Sequence, residues 1–572
     1  MTRALFHLVL HGHLPYVVGH GTWPHGEVWL QEAAAETYIP LLQLLSDPLM
    51  RGLKLKLTVN FSPVLLEQLS HGGFRERLGH YLEEQLKHAE RERREYGERD
   101  PVRAALAEYW ARVYRGRLDF FDSIGGDIVG AFRSAASEGG LEVISCAATH
   151  GYLPLLLRDE CVRAQVKLGL MTSRRHMGSL DIKGFWLPEC AYRASYDWTP
   201  PLPGYPGSRR AGLEMILRDE GVSFSYVEPH LLTGQPLLGL VNFGLYAEDR
   251  VWFEDELRER VLEEDLFRDD PAVFKPYYGV SPGFQDGIVF VLRDPLGTAR
   301  VWSKDGGFPG DGRYLEFHKR AFPGGHRFWR VTDRRLGLGE KEYYDPAAAL
   351  QAVREHASLY FEELKVRASA LHAMGLQSVL FAEVFDAELF GHWWYEGVVW
   401  LGELFRLISA DPTLEPVLGS DVLSIYDSLE VVHLWEGSWG AGGDHRIWFN
   451  RETRWMWEEI YRCEELAVGR LAPIEPRDEL HERVLNQLFR ELLLLEASDW
   501  EFLFTTWQAR DYAEMRFLKH LRAFDALARM AVGLSEGETP SSESIRLLER
   551  LERDDFLFPH LDYRWWRGQT DR

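Results

Sequence analysis

The chain has 572 residues, 45% hydrophobic and 27% charged, a balance that excludes a disordered polymer and leaves room for several domains. Asp and Glu outnumber Lys and Arg by 88 to 65, and the formal charge of −23 argues against phosphate backbones and anionic membrane surfaces as partners. The four cysteines, Cys146, Cys161, Cys190 and Cys463, show no CxxC spacing, which excludes a disulfide framework or zinc knuckle and suits a reducing compartment.

The first residues lack the pattern of a signal peptide, and Ala4–Leu10 predicts a strand that ends on HGHLPY (11–16). A helix is expected over Gln31–Ser46 and a strand over Leu53–Val59. Residues 64–122 read as a charged helical insertion whose run at 87–100 is a solvated face. Helix Asp127–Ser137, strand Leu141–Ser145 and the turn ATHGY follow, then helix Asp159–Ser173 and GFWLPECAY (184–192). After a loop at 194–209, a helix (211–220) and a strand (223–227) resume the alternation. Such alternation implies βαβ units and a parallel sheet or barrel. Residues 228–345 read as irregular, too long for a passive connection, and suggest functional loops over a cleft. Helix Pro346–Met374 and strand Ser378–Phe385 lead into FDAELFGHWWYEG (385–397), and segments 454–470, 477–497 and 509–533 carry helical periodicity. The expected organisation is a barrel over 1–410, with the insertion at 64–124 and the loops at 228–345, and a helical C-terminal domain over 411–572. No apolar run reaches membrane-spanning length, so a cytoplasmic protein is expected.

Working residues of parallel barrels gather where strands end. Four strand ends here carry polar groups: His11 and His13, then His150, Glu189 and Asp386. Glu189 and Asp386 both sit in apolar, Trp-rich company, where a carboxylate pays desolvation unless it has partners or a task. One such residue is more often a helix cap or an ion-pair partner. Two beside aromatic loops suit glycosidic-bond chemistry, one attacking the anomeric carbon and the other moving the proton. Glu388 and Glu383 are competing carboxylates. The His-x-His pair also admits a metal-dependent hydrolase, with His150, His392 and Asp386 completing the ligands. The Gly-rich stretch EGSWGAGGDHRIW (436–448) lacks the GK[ST] of a phosphate loop.

HGHLPY, ATHGY, GFWLPECAY, FDAELFGHWWYEG, EGSWGAGGDHRIW and LLLLEASDW (492–500) occur in an order that resembles glycoside hydrolase family 57, and within it the 1,4-α-glucan branching enzymes. The resemblance implies an α/β fold, a distorted (β/α)7 barrel with a helical insertion and a mainly helical C-terminal domain that closes over the cleft. It implies a retaining mechanism without metal or organic cofactor, acting on an α-glucan such as amylose, glycogen or a starch-like polysaccharide. By motif, Glu189 is the implied nucleophile and Asp386 the implied general acid/base. Arg293, Gly310, Trp439, Asp499 and Gln508 are implied glucan-binding residues, and His11, His13, His150 and Trp302 line the implied donor site. The usual catalytic-loop tyrosine has three candidates, Tyr246, Tyr277 and Tyr278, and VEPH at 227–230 departs from the family's pattern. The same machinery serves an α-amylase or a 4-α-glucanotransferase, and a silent glucan-binding protein is the remaining alternative. The oligomeric state is left open.

Overall fold

The computed structural model describes residues 3–53, 55–233, 269–303 and 306–568. Seven parallel strands form its centre: β1 (Arg3–Gly12), β2 (Leu57–Phe61), β3 (Leu141–Cys146), β4 (Gly184–Trp186), β5 (Phe224–Val227), β6 (Ile288–Leu292) and β7 (Ser378–Asp386). They stand in the order β7–β1–β2–β3–β4–β5–β6. The strands read as unbroken apolar runs because both faces of a parallel sheet are covered; β1 is buried from Ala4 to Gly12. His7, inside this run, is a core histidine, bonded through Nδ1 to the Val417 carbonyl (3.0 Å) and through Nε2 to the Tyr226 hydroxyl (2.9 Å).

The ring is distorted where it should close. No strand ladder joins β6 to β7; the Asp294 N–H donates to the Ala382 carbonyl across the gap at 2.8 Å. The free side of β6 instead takes Tyr277–Gly279 as an antiparallel neighbour, and Glu430–Val432 pairs in parallel with that strand. Leu414–Pro416 pairs with the start of β1. Two expectations are corrected here. Residues 228–345 are not irregular throughout, because they hold β6, a five-residue apolar run, IVFVL, set in loop-rich sequence. Residues 411–432 are not wholly part of a helical domain, because they return two short strands to the sheet.

Helices Gly72–Tyr96 and Pro101–Ser123 form the insertion as an antiparallel hairpin. Asp100 caps the second helix through the Arg103 N–H at 3.0 Å, and Pro101 at its first position needs no hydrogen bond. The charged run links the two helices on the outside, Arg93 to Glu108 (2.8 Å) and Arg115 to Glu90 (2.6 Å).

Beyond residue 453 the chain is helical, with Glu479–Leu495 packed along Arg510–Glu536. The segment between them reaches the barrel mouth: Gly151 and Ala497 form an antiparallel bridge, and the Ser498 N–H donates to the His150 carbonyl at 3.3 Å. Among the described residues no helix is long and apolar enough to cross a membrane.

Candidate active site

Glu189 follows β4 on a three-residue turn, Pro188–Cys190, in the left-handed region with φ 61°. Cys190 (φ 48°) and His150 (φ 58°) share that conformation. A non-glycine residue there costs roughly 1–3 kcal/mol and persists only where its surroundings enforce it. The Trp439 backbone N–H holds the Glu189 carbonyl at 3.0 Å, and its indole N–H donates to Glu189 Oε2 at 2.5 Å. The loop that brings Trp439 there depends on glycine. Gly443 has φ +74°, and a Cβ on it would lie 2.7 Å from the His230 ring.

Asp386 ends β7 beside His11, its partner in the β1 register. Its carboxyl accepts no hydrogen bond from any described residue. Burial raises its pKa well above the usual aspartate range, and the charges of Glu388 and Glu189 add to this against Arg293. Burial also pushes Glu189 up to about 7, while the Trp439 N–H and His13 favour its charged form. The two acids are therefore unequal: Glu189 has a donor that stabilises a carboxylate, and Asp386 sits among like charges that stabilise its proton.

Three histidines stack beside Glu189. His13 and His150 lie 3.9 Å apart between centroids with nearly parallel planes, and His11 lies 4.6 Å from Trp186. Asn60 donates its amide to the Ile144 carbonyl, so its Oδ1 accepts from His11 Nδ1 at 2.7 Å. His11 Nε2 then accepts from His150 Nε2 (3.1 Å), and His150 Nδ1 accepts from the Ser498 hydroxyl (2.9 Å). This order keeps both rings neutral, in accord with burial holding their pKa values well below the usual histidine range. Burial also opposes charge on His13, but Asp499 at 3.0 Å outweighs it and raises the pKa.

The predicted set separates into two groups. Glu189, Asp386, His11, His13, His150, Trp439, Asp499 and Arg293 come together; Arg293 stacks on Trp439 at 5.6 Å. Trp302, Gly310 and Gln508 lie apart from these contacts. Trp302 is 43% exposed and meets Trp393 edge-on at 6.1 Å. Gly310 lies in a short turn beside Arg334, and Gln508 is exposed next to Trp507. Tyr277 and Tyr278 are spent in the edge strand, on the Ala272 carbonyl and the Gly287 N–H, and Tyr246 lies outside the described residues.

His392 does not join the other histidines. Its Nδ1 is bonded to Glu36 at 2.7 Å, and Glu36 also holds Arg327. The His11, His13, His150, His392 and Asp386 set therefore does not converge as a metal site.

Tyr38 and Glu228 went unread in the sequence, and Glu388 and Glu383 were read only as competitors of Asp386. Glu228, the acid of VEPH, pairs with Arg293 at 2.5 Å. Glu388 accepts the Tyr38 hydroxyl and, at 3.2 Å, the His13 N–H. It is therefore a buried partner of Asp386, with its pKa raised to about 7 by burial against the Tyr38 bond. Glu383 lies deeper, fully buried, and burial with the charge of Asp294 beside it raises its pKa well above the usual glutamate range. Trp393, on the loop after Asp386, is exposed enough to meet a ligand. The FDAELFGHWWYEG pattern was the available signal for Glu388 and Trp393; nothing local marked Tyr38 or Glu228.

Comparison with known proteins agrees with this architecture. The sequence model of glycosyl hydrolase family 57 matches residues 7–319, and that of the 1,4-alpha-glucan branching enzyme C-terminal region matches 459–566. A 1,4-alpha-glucan branching enzyme of Thermococcus kodakarensis is 39% identical over 96% of this chain and 76% of its own length. The crystal structure of the Pyrococcus horikoshii family 57 branching enzyme is 35% identical, with TM-score 0.86, over 100% of this chain and 98% of that one. The α-amylase AmyC of Thermotoga maritima is 28% identical, with TM-score 0.80, over 100% of both chains. The protein belongs to glycosyl hydrolase family 57.

Proposed function

We propose that the protein is a retaining 1,4-α-glucan branching enzyme. The observation that carries this reading is the unequal pair of acids at the ends of β4 and β7, one with a donor for its charge and one among like charges. Glu189 attacks C1 of an α-1,4-glucan while Asp386 gives its proton to the departing 4-oxygen. A glycosyl ester on Glu189 and a shortened chain result. Asp386, now a carboxylate, takes the proton of a 6-hydroxyl on an acceptor glucan. That oxygen attacks C1, Glu189 leaves, and an α-1,6 branch is made. Retention by this route calls for carboxyl groups about 5–5.5 Å apart.

The neutral histidines suit hydrogen bonding to sugar hydroxyls, and Trp439 joins acid and aromatic platform in one residue. Asp499 brings the C-terminal helices into the site through His13, which accords with relatives whose names include branching across that region. The likeness to AmyC supports one second reading, hydrolysis by the same two acids. Incubation with amylose, followed by counting α-1,6 linkages and new reducing ends, separates the two. Branches rising far ahead of reducing ends is the expected result. Reducing ends rising alone would replace transfer with hydrolysis.

A further inference from the structure

The helix after HGHLPY changes its winding at the barrel mouth. Glu27–Ala33 and Ile39–Ser46 are α-helical, but Ala34–Tyr38 between them is a π-helical turn, in which the Ile39 N–H reaches back to the Ala34 carbonyl. Pro40 accounts for the widening. It has no N–H, and in an unbroken α-helix its ring would press on the Glu36 carbonyl. Turns of this kind occur frequently at functional sites.

The turn grips the loop that follows Asp386. Glu36 lies 2.7 Å from His392 Nδ1. The Glu36 carbonyl, left without a helical donor by Pro40, lies against Gly391, where φ is +107° and a Cβ would fall 1.9 Å from that oxygen. Tyr38, fully buried, donates its hydroxyl to Glu388 Oε1, which also accepts the His13 N–H at 3.2 Å. The Tyr38 ring packs edge-on against Phe61 at 5.7 Å, so its place does not depend on the hydroxyl.

Glu388 is thus a buried carboxylate with fixed donors, beside one that has none. Asp386 faces the charges of Glu388 and Glu189, and of Arg293, which is paired with Glu228. Glu388 faces the Tyr38 hydroxyl and His13, whose ring is held by Asp499. A charge on Glu388 disfavours a second charge on Asp386, so each donor that keeps Glu388 ionised keeps the proton on Asp386.

We propose that Tyr38 is a positioning residue for the general acid: from the π turn it fixes Glu388 as the carboxylate that faces Asp386, and through Glu388 it holds the proton on Asp386 for the departing sugar. The inference rests on the two-acid reading above and deepens it.

The test is the pH profile of kcat/KM for the full-length protein, read as total consumption of amylose, which transfer and hydrolysis share. Glu388→Gln keeps an acceptor for both donors but carries no charge, and is expected to move the alkaline limb about one pH unit lower. Tyr38→Phe is expected to move it the same way by less, and the double variant to go no lower than Glu388→Gln alone. A limb that rises in either single variant, or shifts that add in the double, would overturn the proposal. An unmoved limb that disappears in Asp386→Asn would overturn the proposal alone; one that persists in Asp386→Asn would overturn the two-acid reading beneath it. Should Glu388→Gln not fold, the Tyr38→Phe profile decides the matter.

Discussion

The barrel mouth and the seam between helices Glu479–Leu495 and Arg510–Glu536 both bury histidines beside carboxylates, on opposite electrical plans. At the seam each acid meets a base: Glu491 lies 2.8 Å from His520, which Arg516 contacts at 3.1 Å. Asp555 lies 2.8 Å from His20, which Lys519 contacts at 2.9 Å. At the mouth, Glu189, Asp386 and Glu388 crowd together, and Arg293 beside them is drawn to Glu228. At the seam, burial and the charge of Asp555 raise the pKa of Glu491, but Asp555 itself is held ionised and ties the loop after HGHLPY to the C-terminal helices. The mouth's charges oppose the fold and leave acids free to exchange protons. The compensated burial of Asp555 marks structure here, and the uncompensated burial of Asp386 at a strand end marks chemistry.

Glu189→Gln should break this comparison most visibly. Transfer activity is expected to fall by on the order of 10⁴-fold or more, with glucan binding retained in affinity electrophoresis. Stability should move the other way. A folded pKa of about 7, against about 4.3 in the unfolded chain, disfavours the folded state above that lower value and does so fully above pH 7. The variant should therefore match wild type near pH 4 and gain about 3–4 kcal/mol near pH 8. Unchanged melting at both pH values would mean that the mouth carries no electrostatic strain.

Asp386→Asn should cost about 10²–10⁴-fold in turnover. Maltosyl fluoride, whose leaving group needs no proton, should restore formation of the glycosyl-enzyme and not its transfer. Equal loss on both substrates would remove Asp386 from the proton-transfer role.

Asp555→Asn tests the seam. Burial alone would raise this carboxyl, but His20 and His520 outweigh it and hold its pKa below the usual aspartate range. Such a depressed group stabilises the fold above its unfolded value, about 3.9, and that stability is lost as pH falls further. At neutral pH the variant should lose about 3–5 kcal/mol, read as a lower urea midpoint, with kcat/KM per folded molecule unchanged. A fall in kcat/KM without a fall in stability would place Asp555 in the mouth's class.

The two regions were not equally legible in the sequence. The mouth's acids stand where apolar strands end, so a local pattern announces them. Its fold was legible for the same reason, because apolar runs alternate with helical periods. The seam is written in pairs far apart in the chain, such as His20 with Asp555, and no local pattern links them. Tyr38 with Glu388, Glu228 with Arg293 and His392 with Glu36 were hidden in the same way: the residue type is visible, but its partner depends on the closed barrel. The strands at 288–292, 414–416 and 430–432 were missed because five or fewer residues in loop-rich sequence are weak signals, and the sheet supplies their order from outside.

Trp439→Phe is the subtlest test, because it asks which part of one side chain sets the mouth apart. Phenylalanine keeps a ring for packing on Trp186, 5.1 Å away, and the backbone bond to the Glu189 carbonyl survives. Only the indole N–H on Glu189 Oε2 is lost. A hydrogen bond to a charged acceptor is worth about 1.5–3 kcal/mol, which corresponds to about one to two pKa units. Since Glu189 must be ionised to attack, wild-type kcat/KM should fall below pH 7, and the variant's acid limb should lie about one unit or more higher. The alkaline limb, set by the proton on Asp386, should stay in place. At pH 7 the variant would then be about tenfold slower, and near pH 9 it would nearly recover. A uniform loss at every pH would mean that Trp439 serves the glucan alone, and that the acid limb belongs to a group other than Glu189.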